Sequence, residues 1–168
     1  MKRFILGLLV LGLTSQAFAQ VTPTEELSEV IVYSVNYKYL NALDNTEAAI
    51  PVQMLERKVA AFNIAEQDYY VDDFQFYTVS FFIPEGKIVA VYDPNGKVLR
   101  TIERFEDVNL PLAVKQSLVD RFPNWEVVSD IYKVTYSEKK GANKEYKVKL
   151  QNGDKVMRVK LTDEGKFL

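Results

Sequence analysis

The 168-residue chain contains no cysteine and no histidine. Without cysteine it has no disulfide to staple it, no thiol nucleophile and no thiol to carry a lipid, so its stability must come from a packed core. Without histidine, Ser-His-Asp and Cys-His nucleophile systems are missing, as are the usual zinc sites. Most hydrolases are excluded by that inventory. No glycine-rich phosphate cradle and no histidine-bearing phosphate motif occurs, so nucleotidyl transfer also lacks its parts. Long apolar runs are scarce too. The run Phe4 to Leu13 falls well short of the roughly 20 residues a membrane-spanning helix needs.

What stands at the beginning is Lys2 and Arg3, that apolar run, and a polar stretch ending in Ala17-Phe18-Ala19. This order predicts a secretory signal peptide, residues 1–19, cleaved after Ala19. A periplasmic or secreted location follows. Gln20 to Leu168 is enough for one compact domain or two small ones sharing an interface. Its charge is uneven: Gln20 to Tyr132 holds 9 Lys and Arg against 18 Asp and Glu, whereas Lys133 to Leu168 holds 10 against 5.

Ala49-Ile50-Pro51-Val52 and Asn109-Leu110-Pro111-Leu112 begin two stretches with helical spacing. Proline suits a first helical position, because its missing N–H would have no partner there. Pro123 predicts that the second helix stops near Phe122. Shifted by 60 residues, Ile50, Pro51, Val52, Met54, Val59 and Phe62 fall on Leu110, Pro111, Leu112, Val114, Val119 and Phe122, which suggests an internal repeat. After each helix the apolar period drops to two. Tyr77, Val79, Phe81 and Ile83 alternate in the first copy, and Tyr146, Val148 and Leu150 in the second. Ile88–Tyr92 and Val156–Leu161 follow as hairpin partners through Pro84-Glu85-Gly86 and Asn152-Gly153. Trp125–Tyr136 reads as a longer strand, Ser137–Asn143 as a polar loop, and Glu29–Leu40 as an early strand. The expected architecture is α+β: a tandem repeat of a helix packed on an antiparallel sheet, with units 20–106 and 107–168 and an extra strand at the start.

Asp93-Pro94-Asn95-Gly96 has too short a spacing for a calcium loop, whose glycine is sixth and whose final glutamate is twelfth. It reads as a tight turn, with Asp163-Glu164-Gly165-Lys166 at the equivalent place. Two candidate sites remain. Asp68, Asp72 and Asp73 supply the carboxylates that a glycoside hydrolase would need, although a solvated loop leading into a strand is the favoured reading, since nothing in the sequence fixes their geometry. Lys147 and Lys149 on one strand, with Arg158 and Lys160 on the next, place four cations on the sheet face away from the helix. That patch suits an acidic partner or anionic headgroups; a merely solubilising face is the plain alternative. Tyr132 and Tyr136 are the candidate aromatic anchors beside it, though half-buried strands favour aromatics in any case. Nucleic acid is not expected, since the chain is net acidic and has no reading motif.

Leu110-Pro111, Val114, Leu118, Phe122-Pro123, Tyr146-x-Val148-x-Leu150, Asn152-Gly153 and Asp163-Glu164-Gly165 together resemble the PepSY-like, or β-lactamase-inhibitor-like, exported proteins of Bacteroidota. The match covers Asp107–Leu168. In the first copy Lys58 stands where the pattern has an apolar residue, with Leu55 able to compensate. The resemblance implies tandem helix-on-sheet units, an envelope location and a binding module whose exposed sheet face holds a protein or peptide, without catalytic residues, cofactor or metal. The expectation is therefore a non-enzymatic exported binding module contacting its partner through Lys147, Lys149, Arg158, Lys160, Tyr132 and Tyr136. The alternatives are a carboxylate-dependent hydrolase and an envelope structural protein that meets lipid.

Overall fold

The computed structural model describes residues 36–71 and 73–168. The signal peptide, the first part of the expected early strand and Asp72 lie outside the described residues. Two helices, α1 (Tyr37–Leu43) and α2 (Ile50–Ala60), and a short 3₁₀ turn at Ile64–Glu66 precede the strands β1 (Tyr77–Ile83), β2 (Gly86–Tyr92) and β3 (Val98–Glu106). Helix α3 (Leu112–Arg121) and strands β4 (Glu126–Ser137), β5 (Gly141–Asn152) and β6 (Lys155–Leu161) complete the chain. All six strands form one antiparallel sheet in sequence order. The order helix, three strands, helix, three strands is thus carried on one continuous sheet. β3 and β4 pair from Arg100↔Ser137 to Glu106↔Ile131 across the expected unit boundary.

The helices cover one side of the sheet, and the inward residues of each strand meet them there. Val52, Leu55 and Val59 of α2 and Val114 and Leu118 of α3 are buried with Ile88, Tyr92, Phe105, Tyr146, Val148 and Leu150. Each such side chain withdrawn from water contributes roughly 1.5–3 kcal/mol, which replaces the stapling that disulfides would provide.

Several expectations change in detail. The end of the early strand is helical: Tyr39 and Leu43, four residues apart, are both buried, while Tyr37 points to solvent. A spacing of four, not two, thus governs that segment. Its entry is held by Asn36, whose Nδ2 donates to Ala60 O at 3.0 Å and Gly96 O at 3.1 Å, while Val98 N donates to Asn36 Oδ1 at 2.7 Å. Pro51 lies in the first turn of α2, but Pro111 caps α3 from outside. The 60-residue shift fails through the helices, since Val52 and Val59 are buried whereas Leu112 and Val119 are exposed. Strand β5 also begins earlier than expected, so only Glu138–Lys140 remains as loop.

The strands obey a different shift. Tyr77↔Tyr92, Val79↔Ala90 and Phe81↔Ile88 in β1–β2 recur as Tyr146↔Leu161, Val148↔Val159 and Leu150↔Met157 in β5–β6. Both hairpins end in the same turn: Gly96 N donates to Asp93 O and Asp93 N to Lys97 O, as Gly165 N does to Thr162 O and Thr162 N to Lys166 O. Gly96 and Gly165 have φ of 78° and 81°, which glycine adopts without the Cβ penalty. Asp93 is committed to this turn, because its Oδ1 accepts from Asn95 N and Lys97 N, both at 2.9 Å.

Candidate partner-binding face

Alternation along each strand fixes which side chains leave the sheet on the side away from the helices. On β5 and β6 these are Glu145, Lys147 and Lys149 with Val156, Arg158 and Lys160, and the register sets Lys147 opposite Lys160 and Lys149 opposite Arg158. All four expected cations are therefore brought together. The face continues across β2, β3 and β4 through Lys87, Arg100, Arg104 and Lys133, in which Lys87↔Arg104↔Lys133 is a row of direct cross-strand neighbours. Against these eight cations the same surface of β2–β6 carries three carboxylates, Glu106, Glu126 and Glu145.

Like charges directly opposite one another destabilise a sheet, so this arrangement is costly to the isolated fold. Relief is partial. Glu145 Oε1 lies 3.7 Å from both Lys147 Nζ and Lys160 Nζ, and Arg104 Nη2 lies 2.8 Å from Glu106 Oε1. Lys133 is pushed below the ordinary lysine range, first by close side-chain approach of Lys147 and then by that residue's like charge. Ile102, Ile131, Val89 and Val156 lie among the cations, and toward β1 the face opens into a groove of about 630 Å³ lined by Phe76, Val91, Leu99 and Arg100. The surface is basic with apolar steps, which suits a protein or peptide better than bulk water.

Tyr132 and Tyr136 do not belong to this face. Each is buried, at 1% and 3% exposure, because beyond the bulge at Val127/Ser129 the even-numbered residues Asp130 to Tyr136 point to the helices while Ile131, Lys133 and Thr135 point outward. Tyr132 stacks on Tyr146 at 4.4 Å between ring centroids, and Tyr136 meets the edge of Tyr39 at 5.2 Å. They are core residues, and a partner on the outer face cannot reach them. The signal for outward residues beyond β5–β6 was present in the same alternation. It needed the β3–β4 pairing, which joins residues some 30 positions apart, before Arg104 and Lys133 could be seen as neighbours.

Of the carboxylates singled out from the sequence, Asp72 lies outside the described residues. Asp68 and Asp73 are both exposed on the segment before β1. A different pair is buried: Glu56 of α2 and Glu103 of β3, at 2% and 1% exposure. Tyr39 OH and Thr101 Oγ1 donate to Glu103 Oε1 at 2.9 and 2.6 Å, and Asn45 Nδ2 donates to Glu56 Oε1. Burial, then the charge of Glu103, pushes Glu56 up to about 9; burial pushes Glu103 up to about 7, opposed by the Thr101 and Tyr39 hydrogen bonds. Glu103 Oε2 has no donor, and a proton on Glu56 gives it one. The pair thus holds a shared proton at the edge of the core, where Glu56 also borders a cleft of about 340 Å³ with Asp44, Asn45 and Arg57.

No family model and no curated protein matches this chain. Among solved structures it is similar to a DUF2874 family protein from Bacteroides uniformis, at 13% identity and a TM-score of 0.36 over 71% of this chain and 85% of that one. A BLIP-like protein from Bacteroides fragilis shares 16% identity at a TM-score of 0.31, over 79% and 82% of the two chains. A DUF2874 family protein from Bacteroides ovatus shares 16% identity at 0.35, over 70% and 82%. Likeness at this level says nothing about what this chain binds, so that question rests on its own surface.

Proposed function

We propose that the protein is a non-enzymatic, exported binding module of the bacterial envelope that holds an acidic protein or peptide segment on the outer face of its sheet. The observation that carries this reading is the juxtaposition of like charges. A surface built only for solubility intersperses both signs, whereas here Lys147 faces Lys160, Lys149 faces Arg158 and Arg104 sits between Lys87 and Lys133. An acidic partner converts that repulsion into attraction and steers its own approach. The apolar Ile102 and Val156 between the cations supply contact area without further charge.

The test is crosslinking capture from the envelope of the producing cell with two baits, the native protein and a variant carrying K147E, K149E, R158E and K160E. The expected result is an acidic partner held by the native bait and lost from the variant, whose melting temperature stays within a few degrees. Equal capture by both baits would remove the face from the account. Binding of the native protein but not the variant to anionic vesicles, weakening with salt, would transfer the role from protein to lipid.

A further inference from the structure

The two edges of the sheet are built differently. β6 carries Lys155, Arg158 and Lys160, and its far side is partly taken by the end of the chain, where Leu168 N donates to Lys160 O at 3.0 Å and Phe167 bridges Leu161. Charged side chains and covered backbone are the usual means by which an edge avoids accepting another strand. β1, with the sequence Tyr-Thr-Val-Ser-Phe-Phe-Ile, has no charged residue and no proline. Among the described residues, no backbone group of Tyr77–Ile83 makes a hydrogen bond outside its ladder with β2. Thr78, Ser80 and Phe82 are exposed along it.

The chain itself shows what such an edge accepts. β1–β2 and β5–β6 share one register and one closing turn, so β1 corresponds to β5. The far side of β5 is filled by β4, antiparallel, over Glu126–Ser137. The far side of β1 has no described strand. A strand-accepting edge is therefore occupied in one half of the sheet and, among the described residues, unoccupied in the other.

We propose that β1 takes β1 of a second copy of this chain, antiparallel about a two-fold axis at Ser80, so that one sheet runs through both molecules. This pairing is self-complementary, as a two-fold interface requires. Ser80 faces Ser80, Thr78 faces Phe82, Val79 faces Phe81 and Tyr77 faces Ile83. No charges oppose one another, and aromatic residues face β-branched ones, which are favourable cross-strand pairs. A charged peptide gains nothing from this uncharged edge, whereas an identical strand matches it along its whole length. The inference is independent of the proposed partner on the basic face.

Sedimentation equilibrium of the purified protein between about 1 and 200 μM tests it. The expected mass is that of two chains, with self-association weakened at least tenfold in Ser80→Lys and unchanged in Val156→Lys on the opposite edge. Because the chain has no cysteine, Ser80→Cys offers a second measurement that does not depend on the lysine variant folding. Oxidation should link two Ser80→Cys chains, whereas Thr135→Cys at the centre of the sheet face should stay single. A single-chain mass throughout overturns the proposal. So does a dimer that is indifferent to Ser80→Lys and forms no Ser80→Cys link.

Discussion

At the scale of single residues, the carboxyl pair in the core controls how stability responds to pH. Glu56 and Glu103 both titrate above their unfolded value, so between about 4.5 and 9 the folded chain binds more protons than the unfolded one. Stability then falls as pH rises through that window. Asp130, raised to about 6 by burial, adds the same sign over the lower part of it. Thermal melts from pH 5 to 9 should show a drop of roughly 5 °C or more, since about 1 kcal/mol shifts Tm by about 2–4 °C in a chain of this size. Glu56→Gln keeps a donor for Glu103 Oε2 without a second titration, and should flatten the curve. A wild-type Tm that rises toward pH 9 would contradict the shared proton.

At the scale of elements, Gly86 and Gly165 do unlike work. A Cβ at Gly86 would stand 2.2 Å from Arg104 O on the neighbouring strand β3, so the residue is needed for close approach of the two strands. At Gly165 it would stand 2.5 Å from Ala113 O, which holds the last turn against α3. Gly141→Ala meets no atom within 4 Å, leaving only the strain of a positive φ. Gly86→Ala and Gly165→Ala should each cost about 2–4 kcal/mol in chemical denaturation, and Gly141→Ala about 1 kcal/mol.

Much of this element plan was legible in the sequence, for local reasons. Period-two runs at Tyr77 and Tyr146, turn residues at Asp93–Gly96 and Gly153, and Pro123 after α3 report on neighbouring backbone, which a sequence displays directly. The 60-residue helix shift was misleading, because it followed residue type near Pro51 and Pro111 without the rotation of each helix about its axis. The inward places of Thr101 and Glu103 follow from Phe105 two positions on, and Glu56 lies inside the apolar stripe of Val52 and Val59. Those two acids were readable one at a time. That they meet depends on α2 crossing β3, a contact between residues 47 positions apart.

At the scale of the whole molecule, the sheet has two faces with opposite duties. One is covered by three helices and holds the core. The other carries Lys87, Arg100, Arg104, Lys133, Lys147, Lys149, Arg158 and Lys160 with three acids among them. The acidic excess of the chain is displaced to the first half of the sequence. Partner affinity should therefore fall several-fold between about 50 and 300 mM salt, because the contacts are solvent-exposed charges screened over about 10 Å or less. Titration of a captured partner at several salt concentrations checks this, and affinity independent of salt would argue for the apolar groove by Phe76 and Val91 as the principal contact.

The most direct measurement is lysine footprinting of the protein in envelope extract, comparing acetylation rates with and without extract. The account predicts that Lys87, Lys133, Lys147, Lys149 and Lys160 become protected together, while the exposed helix lysines Lys58 and Lys115 react as before. Protection of Lys58 and Lys115 with the sheet lysines unchanged would place the partner on the helices and contradict the claim that the basic sheet face is the binding surface.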